Sequence, residues 1–467
     1  VNILVILLAL GLLILIAYRG FSVILFAPLC ALLAVLLTDP IQVPPAYLTI
    51  FMEKLAGFVK LYFPVFVLGA VFGKVIELSG FSKAIVSSVI NLIGAKRAIL
   101  SIVIVCSILT YGGVSLFVVV FAVYPFAAEM FRQVNIPKRL IPGTIALGAF
   151  TFTMDSLPGT PQIQNIIPTA FFKTTTWAAP WMGTVGAIFI FIVGMSYLEF
   201  RRRQAAARGE GYADRLVRGL ENEPEPFEHE KLPNAALAIT PLLLVFLLNW
   251  AFTQWIPGIY GSTYEFFLGG HGKATTIEVG KVAAIWAVQA ALLTGVLFVI
   301  ATAFGAVRSK FADGSKLAVA GALLATMNTA SEYGFGGVIA ALPGFALVAH
   351  FLEQIPNPLI NEAITVTVLA GITGSASGGM SIALAAMADT FIANANAAGI
   401  PLEVLHRVAS MASGGMDTLP HNGAVITLLA VTGLTHRDSY RDIFAVTIIK
   451  TTAVFVAIAF FYLTGIY

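Results

Sequence analysis

The chain has 467 residues, of which 58% are hydrophobic and only 11% charged, and its mean hydropathy is +0.90. A soluble domain carries about 25% charged residues, so this chain cannot cover itself with a water-compatible surface, and its solvent is lipid. The net charge of +3 argues neither for nor against nucleic acid, and Cys30 and Cys106, both inside apolar runs, found neither a disulfide framework nor a metal site.

Apolar runs bounded by charge or by Gly and Pro predict membrane segments near 1–18, 21–38, 61–78, 98–131, 138–172 and 178–199. The first lacks a basic leading region and a small-residue cleavage site, so it reads as a span and not as a cleaved signal. The stretch 201–234 has seven basic and seven acidic residues and reads as a solvated loop. Further segments follow near 235–255, 280–302, 317–342, 358–396, 402–432 and 442–466.

Two of these runs are too long for one span. The first, 98–131, is centred on Thr110-Tyr-Gly-Gly-Val-Ser115, and the second, 358–396, on Thr373-Gly-Ser-Ala-Ser-Gly-Gly379. Gly and Ser clusters break helices, so each run predicts a re-entrant hairpin. Runs 138–172 and 402–432 are broken at Met154-Asp-Ser-Leu-Pro158 and Met416-Asp-Thr-Leu-Pro420. An offset of 262 residues superposes both breaks, and it also pairs Gly112 with Gly374 and Ser115 with Ser377. The chain therefore reads as an internal duplication.

Parity fixes how the halves are related. If the hairpins do not cross, each half crosses about five times, and the second half is inverted relative to the first, as in many transporters. The expected fold is an all-α polytopic membrane protein with one re-entrant hairpin and one broken helix per half. The expected divisions are a first repeat at 1–200, a linker at 201–234 and an inverted repeat at 235–467. Arg201-Arg-Arg203 places the linker in the cytoplasm and both termini outside.

A mid-span Asp costs about 2.5–3.5 kcal/mol on insertion scales, so it needs a reason. Asp155 and Asp417 either cap the following half-helix or serve substrate binding and proton coupling. Polar residues cluster around them: Ser156, Gly159, Thr160, Gln162 and Asn165 at the first break, Thr418, His421 and Asn422 at the second. Helix-start N–H groups and amides there suit a carboxylate and its hydroxyls. Arg and Lys are absent from all four motifs, so burial without a cationic partner and mutual repulsion are the expected drive for protonation. At the hairpin tips, Gly112, Gly113, Ser115, Thr373, Gly374, Ser375 and Ser377 are read as turn chemistry or as substrate ligands, with both tips meeting beside the breaks. Glu332, before a glycine-rich break, is a third candidate proton carrier.

At these motifs the chain resembles the gluconate permease (GntP) family over essentially its full length. Thr110-Tyr-Gly-Gly-Val-Ser115 and Met154-Asp-Ser-Leu-Pro-Gly-Thr-Pro161 are similar to the branch containing D-β-hydroxybutyrate permeases. The resemblance implies proton symport of a small hydroxy-carboxylate, such as 3-hydroxybutyrate or gluconate, across a bacterial inner membrane. It also implies a homodimer with a scaffold part and a moving transport part. Sodium coupling is the first alternative, and a membrane-embedded enzyme or a channel comes behind it. No cofactor or metal is expected, and no GxxxxGK[ST] is present for direct ATP drive.

Overall fold

The computed structural model describes residues 2–19, 21–94, 97–214, 223, 232–267, 275–345, 355–420 and 422–467. The first half opens with the paired helices α1 (Asn2–Tyr18) and α2 (Val23–Thr38), followed by α3 (Met52–Leu78) and α4 (Phe81–Ile93). Helices α5 (Ala98–Tyr111) and α6 (Leu116–Gln133) form a hairpin, and α7 (Ile141–Ala149) and α8 (Ile163–Phe172) are the two parts of a broken helix. Helix α9 (Pro180–Ala207) ends the half.

The second half repeats the plan with α10 (Ala235–Tyr260), α11 (Val279–Thr302) and α12 (Phe311–Ala341). Its hairpin is α13 (Pro358–Thr373) with α14 (Ala376–Ala397), its broken helix is α15 (Leu402–Ser413) with α16 (Gly423–Thr432), and α17 (His436–Thr464) follows. Between α10 and α11 lies a small antiparallel ribbon, β1 (Thr263–Phe266) on β2 (Thr275–Glu278).

Local chemistry sets the boundaries. Gly113 (φ +99°) and Gly374 (φ +64°) turn the two hairpins in backbone conformations that a Cβ disfavours. Asn357 Oδ1 accepts from the N–H groups of Leu359 and Ile360 at 3.1 Å each, with Pro358 at the first helical position of α13. Thr435 and Asp438 close a capping box on α17.

The protein is an all-α, multi-pass membrane protein. Six helical stretches among the described residues are long and apolar enough to cross a bilayer: 40–78, α9, α10, α11, α14 and α17. Large side chains such as Leu4, Leu25, Ile192, Leu247 and Leu297 are exposed, as lipid-facing residues must be. The packing follows a pseudo-two-fold exchange. Helix α3 lies along its counterpart α12, and α9 lies along α17. Helix α2 packs on α12 as α11 does on α3, and α8 packs on α14 as α16 does on α6.

Three sequence expectations need correction. Helix α3 begins at Met52, not near 61, and α4 has no counterpart among the expected segments. Helix α12 runs unbroken through Gly334, Gly336 and Gly337. These glycines serve close packing: a Cβ at 334 would lie 3.0 Å from Phe51, and one at 336 would lie 2.8 Å from the Ile382 Cα. The described part of 201–234 is not simply a solvated loop. Arg201 pairs with Asp442 at 2.9 Å, and Asp442 also faces Arg139 at 3.3 Å and accepts from the Tyr197 hydroxyl at 2.9 Å. Arg139 donates to the buried Glu210 at 2.9 Å, and Lys138, fully buried, pairs with Glu223 at 2.8 Å. Burial alone would push the Glu223 carboxyl up, but hydrogen bonds from Lys138 and Arg132 outweigh it and hold that carboxyl below its ordinary range. The first linker residues therefore strap the base of α6–α7 to α9 and α17.

Candidate functional site

The first break follows α7: a single turn at Phe152–Asp155, then Pro158 and Pro161, before α8 begins. Asp155 is buried. Its Oδ1 accepts from the Ser156 hydroxyl at 2.7 Å, and its Oδ2 has no hydrogen-bond partner among the described residues. That carboxylate lies directly against Gly414, where any Cβ would overlap it. The two breaks therefore touch at Asp155 and Gly414.

A second tie runs through α17. Lys450, buried at the middle of that helix, forms an ion pair with Asp417 of the second break. The same ammonium donates to the Phe150 carbonyl of the first break at 3.1 Å. Beside it, the Thr418 and Thr447 hydroxyls are paired at 2.6 Å. Asp417 therefore has a cationic partner, contrary to the expectation from the motifs. The cation comes from outside them, on the next helix, and it offsets part of the mutual repulsion of the two aspartates.

Arg407 of α15 is the other buried cation here. Its Nη1 donates to the Asp155 carbonyl at 2.9 Å and to Asn165 Oδ1 at 3.0 Å. Its Nε and Nη2 donate to the Ala178 carbonyl at 3.1 and 2.7 Å, and Nη2 also reaches the Thr176 carbonyl at 3.4 Å. A guanidinium has five N–H donors, so Arg407 has none left for a ligand. Its neighbour His406 contacts Asn165 Oδ1 at 3.2 Å through Nε2 and the Thr174 hydroxyl at 2.6 Å through Nδ1. An amide oxygen only accepts, so Nε2 carries the proton and Nδ1 accepts from Thr174.

Asn165 is read from sequence as a ligand for substrate hydroxyls. In the fold its Nδ2 donates to the carbonyls of Thr160 (3.0 Å) and Thr176 (2.8 Å), while Oδ1 takes the two bonds from Arg407 and His406. All four positions of the amide are filled, and Asn165 is the centre of a structural knot. The Thr160 hydroxyl donates to the Thr153 carbonyl at 2.8 Å. Gly159 (φ +77°) donates to the Thr176 carbonyl at 2.9 Å, and its own carbonyl accepts from Asn249 at 3.0 Å.

Each hairpin tip is tied to its own break. Gln162 donates to the Thr110 and Val114 carbonyls at 2.7 and 3.3 Å, and the Tyr111 hydroxyl donates to the Pro158 carbonyl at 2.7 Å. Gly112 packs on Leu242 and Gly113 on Pro161, while the half-buried Ser115 precedes α6. In the second half, Asn422 donates to the Gly374 carbonyl at 2.6 Å and caps α16 through Ala424 and Val425. Thr373 and Ser375 make local turn bonds: Thr373 donates to the Leu369 carbonyl at 3.0 Å, and Ser375 Oγ accepts from the Gly378 N–H at 3.0 Å. Ser377 and Thr329 hydroxyls lie 3.3 Å apart, and the buried Glu332 carboxylate rests against Gly378. His421 lies outside the described residues.

Arg407, His406 and Lys450 are missing from the motif reading, and so is Glu362, a fully buried carboxylate on α13 with neither oxygen partnered among the described residues. The signal was available. An isolated Arg or Lys in the middle of an apolar run carries the same insertion cost that singles out Asp155.

Ionic groups gathered at helix breaks in the middle of an all-helical, multi-pass protein are the build of a membrane transporter. The chain is 58% identical over 475 residues to a protein designated "Uncharacterized transporter YxjC" from Bacillus subtilis (strain 168), and the match spans 100% of both chains. It belongs to the family of that transporter, and it is not an enzyme. No family model matches it. Its fold is similar, at TM-score 0.53 and 13% identity over 87% of this chain and 85% of the other, to the YdaH transporter of Alcanivorax borkumensis, whose crystal structure is described as revealing an unusual topology. At that identity the likeness is one of fold alone.

Proposed function

We propose that this protein is a secondary active transporter that imports a small hydroxy-carboxylate together with protons by alternating access. The resemblance to the gluconate permease family, and within it to the D-β-hydroxybutyrate permease branch, supports this reading. The observation that carries it is the mid-span cluster of Asp155, Asp417 and Lys450, where ties between the two breaks bring ionisable groups together. A transporter that couples an anion to a proton needs such groups within reach of both ligands. Uptake of labelled 3-hydroxybutyrate, gluconate and lactate into proteoliposomes tests the reading. At least one should accumulate under an imposed proton gradient; accumulation under a sodium gradient alone would assign sodium as the coupling ion instead.

The proposed setting is a bacterial inner membrane, with repeats 1–200 and 235–467 in inverted topology, the linker 201–234 cytoplasmic and both termini external. A homodimer in which the hairpins and broken helices move against the longer helices fits the same reading. Single cysteines at Arg208 and Ser262, both exposed, give the check. An impermeant maleimide applied to whole cells should label the cysteine at 262 and not the one at 208. Labelling of both from one side would overturn the inverted topology.

A further inference from the structure

The mid-span cluster holds two cations, and they differ in what they have left to offer. Arg407 spends every donor on backbone carbonyls and Asn165, so it is bound into the fold. Lys450 has three donors and uses two, one on the Phe150 carbonyl and one on Asp417. Its direct ion-pair partner among the described residues is a carboxylate at a break in the helix, on a three-residue turn flanked by Gly415 and Leu419. One turn back along α17 from Lys450, the Thr447 hydroxyl meets that of Thr418, two groups that can exchange their mutual bond for bonds to an entering hydroxyl.

We propose that Lys450 takes the carboxylate of the substrate, and that Asp417 is the counter-ion it gives up in exchange. The proposal rests on the carboxylate-transporter reading above and names its binding group. The exchange balances. At rest the pair is an ammonium and a carboxylate, with no net charge. One proton from water goes to an Asp417 oxygen, the Lys450 N–H to that oxygen is released, and the substrate carboxylate takes its place. The loaded cluster is an ammonium, a substrate carboxylate and a neutral Asp417 acid, again with no net charge. One proton travels with each monocarboxylate, and the step is electroneutral.

The groups around Asp417 leave it as the natural partner in this exchange. Across the contact at Gly414 stands Asp155, held by Ser156, with Arg407 on the backbone carbonyl behind it. From α17, the Tyr440 hydroxyl donates to the Thr418 carbonyl at 3.2 Å, and His436 Nε2 lies 2.9 Å from the Pro420 carbonyl. None of these side chains contacts the Asp417 carboxylate as Lys450 does.

The test uses the purified full-length protein with 3-hydroxybutyrate, gluconate and lactate as probes. In the wild type, binding should take up one proton per carboxylate, and affinity should weaken by up to about tenfold per pH unit as Asp417 becomes ionised. Uptake should follow an imposed pH gradient and ignore an imposed membrane potential. Asp417→Asn should still bind, with no proton taken up and no dependence on pH, but should lose uphill accumulation. Lys450→Met alone strands Asp417 and can fail to fold, so the double variant Asp417→Asn/Lys450→Met, which strands no charge, is the decisive one. Relative to Asp417→Asn it should lose roughly tenfold to a hundredfold in affinity, the value of a charge-assisted hydrogen bond. Equal affinity of the double and single variants, or uptake driven by membrane potential, overturns the exchange while leaving a carboxylate transporter in place. A wild type that takes up none of the three probes under either gradient overturns the hydroxy-carboxylate reading and this proposal with it.

Discussion

Replacing Arg407 with methionine should abolish a stable, monodisperse protein in detergent. The guanidinium is fully buried and holds the Asp155, Thr176 and Ala178 carbonyls and the Asn165 amide oxygen. The Ala178 carbonyl would be left without a donor among the described residues, at about 1–3 kcal/mol, while Ser410, Gly159, Asn165 and His406 still serve the other acceptors. All five lost bonds come from a charged donor, worth about 1.5–3 kcal/mol each. The sum exceeds about 4 kcal/mol, at the top of what single substitutions do and close to the whole stability of many folds. Lysine at 407 should recover part of this, since three of the five donors return without the planar fork. Asn165→Ala cuts the same knot at its centre, so its main effect should be on the melting temperature. Fluorescence-detected size exclusion and thermal melts are the measurements. A methionine variant that elutes and melts within a few degrees of wild type would show that the knot is dispensable.

Gly379→Ala should be nearly as damaging, for a steric reason. A Cβ at 379 would fall inside the backbone of Leu369 and Ala370 on the opposite arm, so α13 and α14 could not keep their spacing. Overpacking typically costs about 1–3 kcal/mol, and more when the clash is with backbone that cannot swing aside. The second hairpin also carries the contacts to Glu332 and, through Thr367 and the Ala412 carbonyl at 3.2 Å, to the second broken helix. Transport should therefore be lost even where folded protein survives. Gly321→Ala on α12, which meets open space, is the control and should be neutral or slightly stabilising. Uptake and melting temperature, measured side by side, separate the two outcomes.

The architecture was readable in the sequence because lipid leaves few options: apolar runs set the segments, and Gly and Ser clusters mark where a helix must stop. The hairpin turns at 112–115 and 374–375 and the broken helices fall where those signals place them. Packing was much less legible. The glycines of α12 signal a break to a reader of propensities, but they allow Phe51, Lys54 and Ile382 to approach. The site residues were found by type and local motif, which cannot say who bonds to whom. Asn165 carries the right chemistry for a ligand, yet tertiary partners 241 and 242 residues away use up its oxygen. Lys450 lies 33 residues from Asp417, outside any motif window, so the ion pair is visible only in three dimensions.

The ties that the two buried cations make between the breaks run one way. Arg407, His406 and Lys450 belong to the second half, and the carbonyls and amide they hold belong to the first. At the 262-residue offset, the first half has Ile145 in place of Arg407 and Ile188 in place of Lys450. An antiparallel pair of identical subunits, each a copy of the first half, would have no donor for its own Asp155 and Phe150 carbonyls. Two copies of the second half would bring four cations to the breaks. Neither symmetric pair would have this centre, which needs two unlike halves. Fusion into one chain guarantees that donor half and acceptor half are always made one to one. The two repeats are now unlike parts of a single lock, and exchanging or re-symmetrising them would undo it.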